Sequence, residues 1–281
     1  MNLLSIQSHV AYGHVGNSAA VFALQRLGVE VWPIHTVAFS NHPGYGGFRG
    51  RMADAAAVRE LVDGIAARGA LAHCDGIISG YLGTADVGDE ALAAVARVRA
   101  ANPAARYCCD PVIGDAGHVY VQADVAQVIR AHALPAADVV TPNQFELERL
   151  SGRSSATTEA VAAAIDTLHA AGPSVVLVTS LNTAETPADA VDLVVSDAAG
   201  RFRLRTPKLP LAMHGAGDLI AALFFAHWLR AGSAAEALSH AASSVFGILR
   251  RTAQAGGTEM LLIAAQDELV APSKLLRAEP M

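Results

Sequence analysis

Around residue 215 the chain reads Met213-His214-Gly215-Ala216-Gly217-Asp218-Leu219-Ile220, a Gly-x-Gly-Asp turn that runs directly into an apolar helical stretch. The two glycines let the backbone approach a phosphate, a helix start offers unpaired N–H groups and a positive dipole end, and Asp218 is placed to take a proton from an attacking hydroxyl. That combination suits phosphoryl transfer. Alone, the same residues also read as an ordinary turn with Asp218 as a helix cap, so the weight rests on what accompanies them. Cys108-Cys109-Asp110-Pro111-Val112 ends a buried strand in an aspartate, and Thr141-Pro142-Asn143-Gln144-Phe145-Glu146 ends the next strand and begins a helix. Asp110 and Glu146 are therefore expected at neighbouring strand ends, where two carboxylates could hold the hydrated Mg²⁺ of a nucleotide. The competing reading makes Asp110 a turn residue before proline and Asn143 with Glu146 a capping box. Asn143 and Glu146 can serve both roles at once.

Other candidates are weaker. The loop Ser8-His9-Val10-Ala11-Tyr12-Gly13-His14-Val15-Gly16-Asn17-Ser18 follows a strand and opens a helix. It has no Gly-Lys-Ser/Thr ending and no complete Gly-x-Gly-x-x-Gly, so neither a Walker nucleotide site nor a dinucleotide fingerprint is supported. Ser8 either contacts a polar small molecule or caps the turn. Tyr81, in Ser79-Gly80-Tyr81-Leu82-Gly83, either stacks on an aromatic ligand or sits as an amphipathic surface residue. Eleven histidines are present, but no His-x-x-x-His pair at helical metal spacing. His9, His14 and His42 read as loop hydrogen-bonding residues, with ligand contact the lesser alternative for His42. Cys108 and Cys109 read as core residues, because no positive partner lies near them in sequence.

The elements that must position these residues alternate. Short β-rich runs are expected near Asn2–Gln7, Val31–Phe39, Gly76–Ser79, Arg106–Asp110, Asp138–Thr141, Val175–Thr179, Leu193–Ser196 and Phe202–Arg205. Helices are expected near Gly16–Leu27, Ala55–Arg68, Asp86–Ala101, Asp124–Ala133, Asn143–Leu150, Thr158–Ala170, Gly217–Leu229 and Ala234–Thr252. This is the pattern of βαβ units: an α/β fold with a central, mostly parallel β-sheet flanked by helices on both faces. A hairpin signal at Ala198–Gly200 predicts a change to antiparallel pairing there. Ser8, Ser40, Tyr81, Asp110, Thr141, Asn143 and Thr179 all fall just past strands, along the sheet edge where open α/β folds place ligands.

Composition sets the bounds. At 281 residues, 52% hydrophobic, with mean hydropathy +0.34, the chain can bury a full core, and no linker or repeat divides it, so residues 1–281 are expected to form a single domain. A net charge of -6 argues against a nucleic-acid partner or an anionic membrane surface. Apolar runs are too short to span a bilayer. No secretory signal is read at Met1–Gln7, and an odd set of three cysteines, two adjacent, points to a reducing cytoplasm. Lys208 stands out as one of only two lysines, with Lys274.

In order along almost the whole chain, these residues closely resemble the pyridoxal kinases of the ribokinase-like superfamily, in their bacterial form. The specific stretches are Gln7-Ser8-His9-Val10 with Tyr12-Gly13-His14-Val15-Gly16-Asn17-Ser18-Ala19-Ala20, Val31-Trp32-Pro33 with Phe39-Ser40-Asn41-His42, Ser79-Gly80-Tyr81-Leu82-Gly83, Cys109-Asp110-Pro111-Val112 and Gly215-Ala216-Gly217-Asp218. The resemblance implies a ribokinase-like fold and ATP-dependent phosphorylation of the 5′-hydroxymethyl group of pyridoxal in vitamin B6 salvage, with pyridoxine and pyridoxamine as further substrates to test. It implies Mg²⁺ with ATP, leaves open a monovalent cation such as K⁺, and implies a homodimer in the cytoplasm. By the same resemblance Asp218 is the catalytic base and Gly215, Ala216 and Gly217 form the anion hole. Ser8, Pro43, Gly44 and Tyr81 fall on the substrate pocket. Asp110, Thr141, Glu146 and Thr179 fall on the nucleotide and cation region, with Asp110 and Glu146 nearest the metal, and Arg205, Thr206, Pro207 and Lys208 fall on the loop beside the nucleotide.

Two residues depart from the pattern. Pro43 stands where relatives commonly carry a polar residue, and it lacks both a hydroxyl and an N–H. Thr179 stands where some bacterial relatives carry lysine, a charge it cannot supply. The alternatives are a hydroxymethylpyrimidine kinase of the same superfamily, against which the His42 and Tyr81 stretches weigh, and a non-catalytic B6-vitamer-binding protein, against which the intact Gly-x-Gly-Asp weighs.

Overall fold

The computed structural model describes residues 1–115, 118–211 and 213–281. Its strands are β1 (Asn2–Val10), β2 (Glu30–Phe39), β3 (Gly50–Met52), β4 (Gly76–Ser79), β5 (Arg106–Cys109), β6 (Gly114–Asp115), β7 (His118–Val119), β8 (Val139–Val140), β9 (Val175–Leu181), β10 (Ala190–Asp197), β11 (Gly200–Pro207) and β12 (Glu279–Pro280). Its helices are α1 (Asn17–Arg26), α2 (Ala55–Ala67), α3 (Ala85–Ala101), α4 (Ala123–Val128), α5 (Leu134–Ala136), α6 (Gln144–Ser151), α7 (Thr158–Ala171), α8 (Ala216–Ala231), α9 (Ala234–Gln254) and α10 (Asp267–Val270).

Ten strands make one sheet in the order β12-β11-β10-β9-β8-β5-β4-β1-β2-β3, and β6 pairs with β7 as a separate hairpin. Strands β2, β1, β4, β5, β8 and β9 run parallel, so their C-terminal ends share one edge. Alternation along each strand divides the core between two faces. Leu4, Ile6, Ile77, Tyr107, Cys109, Val140, Val176 and Val178 face α2, α3 and α7. Leu3, Ile78, Cys108, Val139, Val175 and Leu177 face α1, α8 and α9. The expected sheet with helices on both faces is therefore present, and the two cysteines are fully buried on opposite faces.

Each expected strand and helix has a counterpart, with three differences. Antiparallel pairing begins one strand earlier than the Ala198–Gly200 hairpin, between β9 and β10, because residues 182–189 contain no crossover helix to carry the chain back. The helix expected over Asp124–Ala133 is α4 followed by a widened π turn at Ile129–Ala133 and then α5. Pro135 explains this, since its ring would collide with the carbonyl four residues earlier in a regular helix. The short pieces β3, β6, β7, β12 and α10 carry too few residues to show periodicity in the sequence.

Candidate active site

The parallel strand ends and the start of α8 enclose a cavity of about 520 Å³. Ser8 reaches it from β1, Val37 and Phe39 from β2, Tyr81 from the turn after β4, Asp110 from the end of β5, Thr141 from the end of β8 and Thr179 from β9. The turn from His214 to Asp218 forms the opposite wall. The Gly-x-Gly-Asp turn, the two carboxylates and Ser8, Pro43, Gly44 and Tyr81, up to 210 residues apart in sequence, thus line one space.

Asp218 lies in the first turn of α8, whose N-cap is Gly215 at φ 91° with no side chain to satisfy the first N–H groups. Those donors, at Ala216 and Gly217, border the cavity. A Cβ on Gly215 would fall on the His14 carbonyl oxygen, so glycine is required for the turn to pack on the first loop as well as for its positive φ. Burial pushes the Asp218 carboxyl up to about 6, while the N–H groups of Gly16 and of Asp218 itself pull it back. The acid is thereby poised to accept a proton near neutral pH.

Asp110 accepts a hydrogen bond from the Thr141 hydroxyl at 2.9 Å. Burial, then Glu146, then Asp218 hold its carboxyl well above the usual range. Glu146 is pushed up to about 7 by burial, against the pull of backbone N–H groups. Its Oε1 accepts from the N–H groups of Ile113 (2.7 Å) and Gly114 (3.3 Å), and its Oε2 from that of Asn143 (2.9 Å). With the Glu146 N–H donating to Asn143 Oδ1, this completes a capping box at the start of α6. The structure thus confirms the capping role of Glu146. Among the described residues no arginine or lysine lines this cavity, and no group of three His, Cys, Asp or Glu side chains is arranged as a metal cage.

The other end of the cavity is apolar. Val10, Val15, Val37 and Phe39 pack together beside Tyr81, whose carbonyl accepts from the Thr36 hydroxyl at 2.6 Å. Pro43 and Gly44 come from a 3-10 turn, Pro43–Tyr45, capped by His42, whose Nδ1 accepts from the Gly44 N–H at 3.1 Å. His42 both caps the loop and lines the cavity.

A second cavity of about 300 Å³ adjoins the first at Thr179, Ser180, Met213, Ala216 and Gly217. Thr206, Pro207 and Lys208 line it, with apolar walls from Val191, Leu193, Ile220, Val245 and Phe246. Arg205 lines neither cavity. Its guanidinium is bound to Asp192, its direct cross-strand neighbour, through Nε to Oδ1 and Nη2 to Oδ2, both at 2.6 Å. Alternation along β11 turns it away from its neighbour Thr206, which explains why the expected nucleotide-side placement does not hold for Arg205.

Several lining residues carried no usable signal in the sequence. Val112 (φ 35°) and Ser180 (φ 54°) hold left-handed backbone at the cavity wall, a strained state that residue type does not announce. Val10, Val15, Val37, Phe39, Asp115, Tyr120, Met213 and His214 join the lining through tertiary approach. For Val37 and Phe39 the clue was alternation continuing to the end of β2.

The profile of the phosphomethylpyrimidine kinase family matches residues 71–262. The chain is 50% identical over 284 residues to pyridoxal kinase PdxY of Granulibacter bethesdensis, covering 99% of each chain. It is 50% identical over 285 residues to pyridoxal kinase PdxY of Deinococcus radiodurans, covering 99% of this chain and 96% of that one. The structure of pyridoxal kinase from Leishmania donovani in complex with ADP and pyridoxamine superimposes with a TM-score of 0.92 at 30% identity, covering 100% of this chain and 99% of that one.

Proposed function

The chain belongs to the pyridoxal kinase family, and we propose that it transfers the γ-phosphoryl group of ATP to the 5′-hydroxymethyl oxygen of pyridoxal, with Asp218 as the base. The observation that carries the residue roles is that Asp218, perturbed toward neutral pKa, lines the larger cavity in the first turn of α8, directly after Ala216 and Gly217, which border both cavities. In this reading the larger cavity takes the vitamer, its ring against Val37, Phe39 and Tyr81 and its polar edge toward Ser8, with Pro43 and Gly44 closing the side. The smaller cavity takes the nucleotide, with Thr206, Pro207 and Lys208 along it and Thr179 at the junction. The hydroxyl oxygen attacks the γ-phosphorus, the bond to the β-phosphate oxygen breaks, the hydroxyl proton passes to Asp218, and ADP leaves. The N–H groups of Gly215, Ala216 and Gly217 serve as the anion hole, and the rate comes from positioning and charge stabilisation.

The donor set fits a divalent cation. Asp110, Glu146 and Asp218 share a cavity without a lining arginine or lysine among the described residues; burial raises all three, and at Asp110 repulsion from Glu146 and Asp218 adds to it. Asp110 would hold Mg²⁺ directly, and Glu146, whose oxygens already accept three N–H bonds, would act through water. Bound there, the ion would supply charge neutralisation to the nucleotide phosphates. A monovalent cation, a homodimer and a cytoplasmic setting complete the proposal. Exposed Met52 on the edge strand β3 and Phe48 in the loop before it are side chains a second copy would cover, and three free, buried thiols suit a reducing compartment.

The phosphomethylpyrimidine kinase profile match favours one second reading, action on hydroxymethylpyrimidine. The test is ADP release with Mg·ATP and, separately, pyridoxal, pyridoxine, pyridoxamine and hydroxymethylpyrimidine, each product confirmed by mass. Turnover led by a B6 vitamer is expected. Turnover led by hydroxymethylpyrimidine would overturn the substrate assignment and leave Asp218 as base.

A further inference from the structure

We propose that His214 is a positioning residue, which holds the substrate loop, residues 41–49, against the phosphoryl-transfer turn through a stacked imidazole pair with His42. This rests on the pyridoxal kinase reading above. The loop's other anchors lie toward its far end, where the Phe48 ring sits 4.4 Å from Phe39 of β2 and the Tyr45 hydroxyl bonds to Glu259. Residues 43–50 are exposed; Asn41 Nδ2 donates within the loop to the carbonyls of His42 (3.0 Å) and Gly47 (2.7 Å), and the Arg49 N–H ties the loop end to Ser40 Oγ (2.9 Å) after β2.

Its rings are what reach across the cavity. The His42 and His214 centroids lie 3.7 Å apart with planes inclined by 24°, and Tyr45 lies 5.8 Å from His214 at 46°. The loop backbone is pressed onto both imidazoles, for a Cβ built on Gly44 would stand 2.8 Å from His214 Nε2 and 3.0 Å from His42 Nδ1. Because Nδ1 of His42 accepts the Gly44 N–H, the neutral ring carries its proton on Nε2 and its plane is fixed. Burial, then the neighbouring His214, lower the His42 pKa to about 4, so at neutral pH its own charge does not oppose the stack. His214 immediately precedes Gly215, while His42 and Gly44 line the vitamer end of the cavity. The stacked pair is therefore a direct link between the loop that closes on the vitamer and the turn that receives the phosphoryl group. His214 acts through His42 and not on the reacting atoms.

The test compares His214→Ala, His214→Phe and Gly44→Ala, varying pyridoxal and ATP separately, with calorimetric binding of pyridoxal as a readout independent of turnover. His214→Ala is expected to raise KM and Kd for pyridoxal about three- to tenfold, the weight of one aromatic pair, with kcat and KM for ATP changed less than about twofold. His214→Phe restores most of the affinity, since stacking needs no ionisable nitrogen. Gly44→Ala, at a position without positive φ, separates the rings from the loop side and reproduces the loss with His214 still in place. Should His214→Ala prove unstable, the other two variants decide. A fall in kcat at unchanged KM, failure of phenylalanine to rescue, or unchanged pyridoxal affinity in His214→Ala and Gly44→Ala overturns the proposal. Wild-type turnover in the same series reads the kinase assignment by itself: a wild type that binds pyridoxal without turning it over sinks that assignment and leaves the clasp to be judged on binding. Absence of pyridoxal binding to the wild type overturns both.

Discussion

In its proposed role as base, Asp218 meets two demands that oppose each other. To accept a proton near neutrality its carboxyl is held at about 6, against an ordinary 3.8. Between those values the folded chain keeps a proton that the unfolded chain has released, so folding stability falls as pH rises through that window. Asp218→Asn is expected to lower kcat by about 10²–10⁴-fold, the usual weight of a general base. At pH 8 the same substitution should raise the melting temperature, by about 2–4 °C per kcal/mol of relieved penalty. Near-normal turnover in the variant would remove Asp218 from the base role, and an unchanged or lower Tm would contradict the burial argument. For the wild type, kcat/KM for pyridoxal should fall below an apparent pKa near 6 and level off above it. A profile flat from pH 5 to 8 would count against the assignment. The placement of these acids was legible in sequence: one after Gly-x-Gly, one at a strand end. The shift itself was not, because it depends on which distant groups exclude water.

The first turn of α8 packs on the loop after β1, and that loop packs in turn on β1 itself. Gly215 abuts the carbonyl of His14 in the loop after β1, and Gly16 in that loop abuts Ser8, so neither position has room for a Cβ. Gly215→Ala would combine a positive φ of 91° with a backbone collision, displacing the turn that carries Asp218. Its expected signature is loss of turnover by at least about 10²-fold with pyridoxal binding largely kept, since a misplacement on the order of 1 Å is enough for that loss. If kcat stays within about threefold of wild type, the close packing of turn and loop is not what positions the acid. The elements themselves were legible from period and caps. Asn143 and Glu146 announced the start of α6, and the structure forms that capping box. What the residue pattern did not disclose was the π turn at Ile129–Ala133 or the placement of Arg205 opposite Asp192. Both follow from neighbours in space or from a single proline, not from a repeat.

Across the whole molecule, a single ten-stranded sheet separates two apolar cores, and the larger cavity opens at the edge where its parallel strands end. Trp32 packs against one core and Trp228 against the other. Single-tryptophan variants, Trp32→Phe and Trp228→Phe, should therefore report the same urea midpoint if residues 1–281 unfold as one domain, apart from the shift each substitution causes in circular dichroism. Fluorescence and circular dichroism midpoints that diverge within one variant would divide the chain into separately folding parts.

By itself, the sequence determined the α/β class, the sequence order of its principal elements, the strand ends at which polar residues collect, and the Gly-x-Gly-Asp turn. Each of these is encoded locally, in side-chain period, cap residues and glycine placement, and its physics needs only neighbours along the chain. Only the tertiary structure decided that residues as far apart as Ser8 and Asp218 line one cavity, that Arg205 is committed to Asp192, and that His42 stacks on His214. Those outcomes depend on strand order and loop packing, which bring remote side chains together. Charge, burial and close contact then act between groups that the linear order keeps apart.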